Sequence, residues 1–310
     1  MNYRSLMIVV VTVALIGCGG PEERKASYRN KAQEYLAAGN FPKARVALRN
    51  VLKIDPKDAD AYYLFAQVEE KEKNWRNAVS LYQEVVQLAP DHTGALIMLA
   101  KYYLEARLTG PVIATVDKVL EKNPQHPQAR ALKIAVLATE EKVPEAILQA
   151  EALAAQFPTE PDVSILLATL YSQQERHREA KTVIQRALDT HPRDMDLLNN
   201  LNTVMNRAKD TAGAEAIARR MIDTEPTVFD HRLRLARLLA EHGAQEKAEA
   251  VLREAIALDP QSEERWLLLA DFLATRKNVS IAEELLLEAS TKLPHSAKVQ
   301  FALADLYRQH

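Results

Sequence analysis

The chain has 310 residues, 47% of them hydrophobic, which excludes a disordered protein and leaves room for one large domain or two ordinary ones. Its 40 basic and 42 acidic residues nearly cancel and form no long run of one sign, so the electrostatic footprint of a nucleic-acid binder is missing. Only 8 glycines stand among many Ala, Leu, Glu and Lys, a balance that favours helix over strand.

The first predicted element is an address. Arg4 gives a short positive start, and Leu6 to Leu15 is an uncharged, mostly apolar run. It is too short to cross a bilayer as a helix, which takes about 20 residues, but it suits the core of a signal peptide. Leu15-Ile16-Gly17-Cys18 comes next. The order aliphatic, variable, small, cysteine resembles the lipobox of bacterial lipoproteins. That resemblance implies that residues 1–17 are a signal peptide, that the Cys18 thiol receives a diacylglycerol, and that residues 18–24 form a lipidated linker. Cys18 is the single cysteine, so no internal disulfide is available. Gly19 stands where enterobacterial lipoproteins retained in the inner membrane usually carry Asp. The expected location is therefore the periplasm, lipid-anchored at the outer membrane.

From residue 25 onward the chain repeats. Pro56, Pro90, Pro124, Pro158, Pro192, Pro226, Pro260 and Pro294 follow one another at intervals of 34 residues. Two alanine columns share the period. One holds Ala32, Ala66, Ala100, Ala168, Ala236, Ala270 and Ala304, with Ile134 and Asn202 as exceptions; the other holds Ala44, Ala78, Ala146, Ala180, Ala214, Ala248 and Ala282, with Val112 as the exception. Small residues at fixed places in a helical period mark close helix crossings, where a bulkier side chain would clash. Each unit reads as two antiparallel helices, in repeat two about Ala59 to Lys71 and Trp75 to Leu88. Gly39, Asn74 and Gly243 fall in the turns between them, and each proline falls past the second helix and helps stop it.

In the last full repeat Trp266, Leu269, Ala270 and Leu273 lie on the first helix, Ala282 and Leu286 on the second, and Pro294 closes the unit. This pattern and its 34-residue period resemble the tetratricopeptide repeat. The implied fold is all-α: a right-handed α-solenoid of about eight helix-turn-helix repeats and a terminal helix around Phe301 and Tyr307, filling 25–310 as one stacked domain.

No zinc-type Cys/His spacing, His-Glu-x-x-His, phosphate loop or Gly-x-Ser-x-Gly elbow occurs, so neither catalysis, cofactor nor metal is expected. His92 and His126 share a repeat position, but stacked repeats should hold them near 10 Å apart, too far for one metal ion. Binding is what the resemblance offers, because in tetratricopeptide solenoids the first helices line a concave groove. One inward column then reads Arg29, Tyr63, Ile97, Ala131, Ile165, Asn199, Leu233, Leu267 and Phe301; a second includes Gln33, Gln67, Lys101, Thr169, Arg237 and Asp271. An apolar row beside a polar one suits an extended or helical peptide. The same apolar row also suits plain packing between helices. The Lys/Asn clamp that some relatives use for a C-terminal carboxylate is absent: Arg29 and Gln33 imitate its first members, but Leu64, Gly94 and Met98 fill the others.

The stretch Lys31 to Ala66, with Tyr35-Leu36, Gly39, Lys43-Ala44, Leu48, Asn50, Leu52 and Asp55-Pro56, resembles the opening repeats of tetratricopeptide lipoproteins of bacterial exopolysaccharide and exosortase (PEP-CTERM) systems. That implies a scaffold for envelope polysaccharide synthesis or export, bound to an envelope protein through its groove and to the membrane through its lipid. Relatives of that kind are often longer. Two rival readings are a pilus- or secretin-assembly lipoprotein and an adaptor for peptidoglycan enzymes.

Overall fold

The computed structural model describes residues 20–276 and 279–309. The expected signal peptide and lipobox, Cys18 included, lie outside them. Among the described residues there are 17 α-helices and no strand. They come in pairs: α1 (Pro21–Ala37) with α2 (Phe41–Ile54), α3 (Ala59–Lys71) with α4 (Trp75–Leu88), and α5 (Thr93–Glu105) with α6 (Thr109–Lys122). Then come α7 (Pro127–Thr139), α8 (Val143–Gln156), α9 (Pro161–Gln173), α10 (His177–Thr190), α11 (Met195–Arg207) and α12 (Thr211–Thr224). The chain continues through α13 (Phe229–Glu241), α14 (Gln245–Leu258), α15 (Glu263–Arg276), α16 (Val279–Lys292) and α17 (Ala297–Gln309). The second pair has the bounds expected from the sequence.

The start differs. α1 begins at Pro21 and takes in the last part of the expected 18–24 linker. Proline is pre-set for the first helical position, and Glu22 and Glu23 complement the positive helix start.

Each proline acts through the residue before it. Proline disfavours the α region for its predecessor, most tellingly where a helix is already ending. Asp55, Ala89, Asn123, Phe157, His191, Glu225 and Asp259 accordingly leave the helix, with φ between −120 and −150°. The turn within each of the first seven pairs has a different device. Gly39, Lys73, Arg107, Glu141, Glu175, Lys209 and Gly243 occupy one repeat position and all have positive φ. Around Glu141, the Lys142 N–H donates to the Leu137 carbonyl at 2.9 Å and the Glu141 N–H to that of Ala138 at 3.2 Å. These bonds close a Schellman motif and satisfy carbonyls the helix end would leave bare.

The first helices are also capped in register. Asp58 accepts from the Ala61 N–H at 2.8 Å, Asp194 from Leu197 at 3.0 Å and Ser296 from Val299 at 3.2 Å. His92 and His126 belong to this column. Their Nδ1 atoms accept from the N–H groups of Ala95 at 3.1 Å and Ala129 at 3.4 Å. The two histidines are helix caps, which accounts for their spacing.

The helices cluster into two compact units that divide after Val136, within α7. In the first, each helix pair packs on itself, and α2 and α4 pack on the following α3 and α5. Its apolar interior includes Leu48, Val51, Tyr82, Val85, Val112 and Val116, all fully enclosed. The second unit repeats the arrangement from α8 onward, with Leu235, Trp266, Leu269, Leu273, Leu285 and Leu286 in one continuous cluster. The second alanine column is wholly buried throughout, from Ala44 to Ala282, and Val112 fills the same place without exposure. Asn202, an exception in the first column, donates its side-chain amide to the Ala214 carbonyl at 3.2 Å and so carries a polar group into a crossing at little cost.

Candidate functional site

In the first unit, the column that begins at Arg29 is largely engaged by the protein itself. The Arg29 guanidinium donates to Asp60 at 3.0 Å and lies 3.8 Å from Asp58. It is therefore held by carboxylates of its own chain and is poorly placed to take one from a ligand. Tyr63 is half-buried. Its ring lies 4.6 Å from that of His92 and 5.6 Å from that of Tyr82, and its hydroxyl rests against Gly94, where a Cβ would come within 2.7 Å. Glycine at 94 is thus what lets the phenol pass. Burial pushes the Tyr63 phenol above its usual pKa, against the opposing hydrogen bond with Gln67.

Ile97 is 4% exposed and packs with Val112, Val116 and Leu132. It is a core residue with no surface left for a partner, because Ala95 to Ala100 presents apolar side chains to both neighbouring helices. Gln67 and Lys101 remain partly exposed beside Tyr63. This unit therefore offers a patch of Tyr63, Gln67 and Lys101 and no unbroken apolar row.

In the second unit, Ile165, Thr169, Asn199, Leu233 and Leu267 are all partly exposed. Asn199 donates to the Met195 carbonyl at 2.7 Å and accepts from Arg234 at 3.1 Å. Leu233 and Leu267 lean on the core with one side only. Around Leu233 the helices α13, α14 and α15 leave a cleft of about 230 Å³, lined among others by Arg237, Glu241, Leu268, Asp271 and Phe272. Next to it, Leu267 and Leu268 form a shallow recess with Glu264 and Lys298. Apolar floor and charged rim coincide here, the combination a bound peptide needs. Glu241, Leu268 and Phe272 were not in the columns counted from the repeat. Their signal is weak in sequence, since each lies a helical step from a column and only the packing of α14 decides what stays uncovered.

One further cluster escaped the sequence. Glu69, 4% exposed, accepts from the Arg45 guanidinium at 2.7 and 3.0 Å, from Asn74 at 3.0 Å and from Asn77 at 3.3 Å. Its neighbour Glu70 accepts from the hydroxyls of Tyr82 at 2.6 Å and Tyr102. Every acceptor faces a donor of its own chain, so the cluster clamps α2, α3, α4 and α5 and leaves no group for chemistry. Among the described residues, no three His, Cys, Asp or Glu side chains converge as metal ligands, and no helix is long and apolar enough to cross a membrane.

Comparison with known proteins agrees with this architecture. Two family models described as tetratricopeptide repeat match residues 29–93 and 206–272, and one described as the N-terminal TPR repeats region of Psidin matches residues 102–228. The type IV pilus assembly protein PilF of Pseudomonas aeruginosa is 30% identical over 110 residues, which is 32% of this chain and 43% of that protein. The chain thus spans less than half the length of that curated relative. Among solved structures, the APC/C hetero-tetramer Cut9-Hcn1 is similar over 93% of this chain and 57% of the other, with a TM-score of 0.50 and 18% identity, a likeness of fold. A structure of P. aeruginosa pilF covers 71% of this chain and 100% of its own, with a TM-score of 0.46 and 18% identity. The repeats of this chain are tetratricopeptide repeats, and the helix pairs they form build an all-α solenoid fold.

Proposed function

We propose that the protein is a non-catalytic scaffold of the bacterial cell envelope, anchored through a lipid on Cys18 in the outer membrane, that holds a segment of a partner protein on its first-helix faces. The observation that carries the binding reading is the cleft of the second unit. There Leu233, Leu268 and Phe272 stay partly exposed beside Arg237 and Asp271, although the same helices bury their other faces fully. The lipobox supports the anchor.

For the pathway, two readings each have an observation behind them. The 30% identity to PilF over part of its length supports work in pilus or secretin assembly. The likeness of Lys31 to Ala66 to lipoproteins of exopolysaccharide and PEP-CTERM systems supports a scaffold for polysaccharide export.

Two measurements test the proposal. Radiolabelled palmitate should enter the wild-type protein and not Cys18→Ser; label in the variant removes the anchor. Crosslinking in cells and affinity capture should bring down an envelope protein, a secretin or pilin on one reading and a polysaccharide exporter on the other. Arg237→Glu combined with Asp271→Lys alters only exposed groups and should lose that partner while melting like the wild type. Full capture by this folded variant would overturn the cleft as the binding site.

A further inference from the structure

The open face of the first helix pair is a surface of unusual composition. Tyr28, Lys31 and Tyr35 of α1 and Pro42, Lys43, Val46, Ala47 and Asn50 of α2 line one shallow cleft of about 350 Å³. Val46 is 58% exposed at its centre. Arg24 stands one turn before Tyr28 on the same stripe of α1, and Lys53 one turn beyond Asn50 on α2.

A solenoid end needs only to be wettable. Lys31 satisfies that need. At its place in later repeats stand Phe65, Leu99, Leu167, Leu201, Leu235 and Leu269, with Lys133 as the exception. Wettability does not explain why Tyr28, Tyr35 and Val46 remain apolar on the same face. Nor does it explain the charge. α2 contains no acidic residue at all, and Glu23 and Glu34 of α1 fall about 80–100° round the helix from the Arg24–Lys31–Tyr35 stripe. Among the described residues, Arg24, Lys31, Lys43 and Lys53 form no ion pair, and the Lys43 ammonium lies 5.7 Å from the Tyr35 ring centre. Tyrosines with their polar tips, a protruding valine and a ring of lysines match the boundary between anionic headgroups and acyl chains. There the aromatic bodies sit apolar side down while basic groups meet phosphates.

We propose that this end face lies on an anionic lipid surface, with Val46 and the edges of Tyr28 and Tyr35 at the acyl boundary and Arg24, Lys31, Lys43 and Lys53 on headgroup phosphates. It adds to the Cys18 anchor a contact that fixes orientation. It takes from the proposed function only the nearness of a membrane, and its test does not depend on the anchor.

The full chain with Cys18→Ser holds no other cysteine, so Val46→Cys can carry a single nitrobenzoxadiazole label, and Leu148→Cys, at a site 68% exposed in α8, serves as control. Both are mixed with vesicles containing phosphatidylglycerol and with vesicles of phosphatidylcholine alone. The Val46 label should brighten severalfold and shift to the blue on phosphatidylglycerol only. The effect should fade in about 0.5 M salt, where screening is short-ranged. Lys31→Glu with Lys43→Glu should abolish it, or Lys31→Gln with Lys43→Gln should do so if the reversed charges disturb the fold seen by circular dichroism. A Val46 label that behaves like the Leu148 label, or that brightens equally on neutral vesicles, overturns the proposal. Brightening without vesicles, with dimers by sedimentation, overturns it in favour of a second copy as the occupant.

Discussion

Glu69 shows how much a single buried carboxylate decides in this protein. Burial alone would push its pKa up; the Arg45 guanidinium, Asn77 and Asn74 outweigh burial, and the carboxyl ends below its usual value of 4.5. The Arg45 guanidinium is correspondingly raised, chiefly by its bond to Glu69. A carboxyl whose pKa is lower folded than unfolded binds protons more readily when the chain unfolds. The stabilisation is therefore complete above pH 4.5 and is lost as the pH falls from there through the folded value. Glu69→Gln keeps the shape and removes the charge that Arg45 needs. It should cost about 1–2 kcal/mol at pH 7, since it takes the more buried of two carboxylate partners from Arg45 and leaves only Glu72. Urea melts at pH 7 and pH 3 should show the wild type losing more stability on acidification than the variant. Equal losses would mean that Glu69 does not titrate as the geometry requires.

At the scale of the helix pair, the left-handed turn residue is the most economical place to change stability. Five of the seven positive-φ positions carry side chains: Lys73, Arg107, Glu141, Glu175 and Lys209. An L-residue there costs roughly 1–2 kcal/mol, part of which glycine returns through its greater freedom when unfolded. Glu141 is exposed and its backbone already makes the Schellman bonds. Glu141→Gly should raise stability by about 0.5–1 kcal/mol. Gly243→Ala should lower it by about 1 kcal/mol through φ alone, because a Cβ at Gly243 would meet nothing within 4 Å. Thermal melts of both variants suffice, and two shifts of the same sign would contradict the turn assignment. These turns also mark where the sequence was legible. The proline column stops helices by a local steric rule, and the alanine column sits at crossings too tight for anything larger, so both wrote themselves into the residue types. The left-handed column did not, because only Gly39 and Gly243 carry the residue that announces it. The exposure of the two inward columns was half legible. The repeat frame tells which stripe of a helix a residue occupies, but whether Ile97 is covered and Leu233 is not depends on the side chains of the next helix over.

For the molecule as a whole, the question is whether a repeat array that clusters into two compact units melts by units or by repeats. Ala180 on α10 is fully buried where α9 and α10 cross, opposite the alanine column that includes Ala168. Ala180→Trp forces a large ring into that crossing and should cost on the order of 1–3 kcal/mol. In a stack where each repeat contacts only its neighbours, the strain is confined: stability is a sum of repeat terms and nearest-neighbour interfaces. Native-state hydrogen exchange should then quicken in α9, α10 and the α11 and α12 pair that packs on them, while α15 and α16, in the same unit, keep their rates. If instead the second unit melts as one cooperative body, with its cluster from Ala218 to Val299 tied to α9 and α10 through α11, α15 and α16 must quicken as much as α10 does. Mass-resolved exchange separates the outcomes, because a single cooperative unit exchanges with one free energy throughout, whereas a stack shows a gradient that falls away from the damaged crossing.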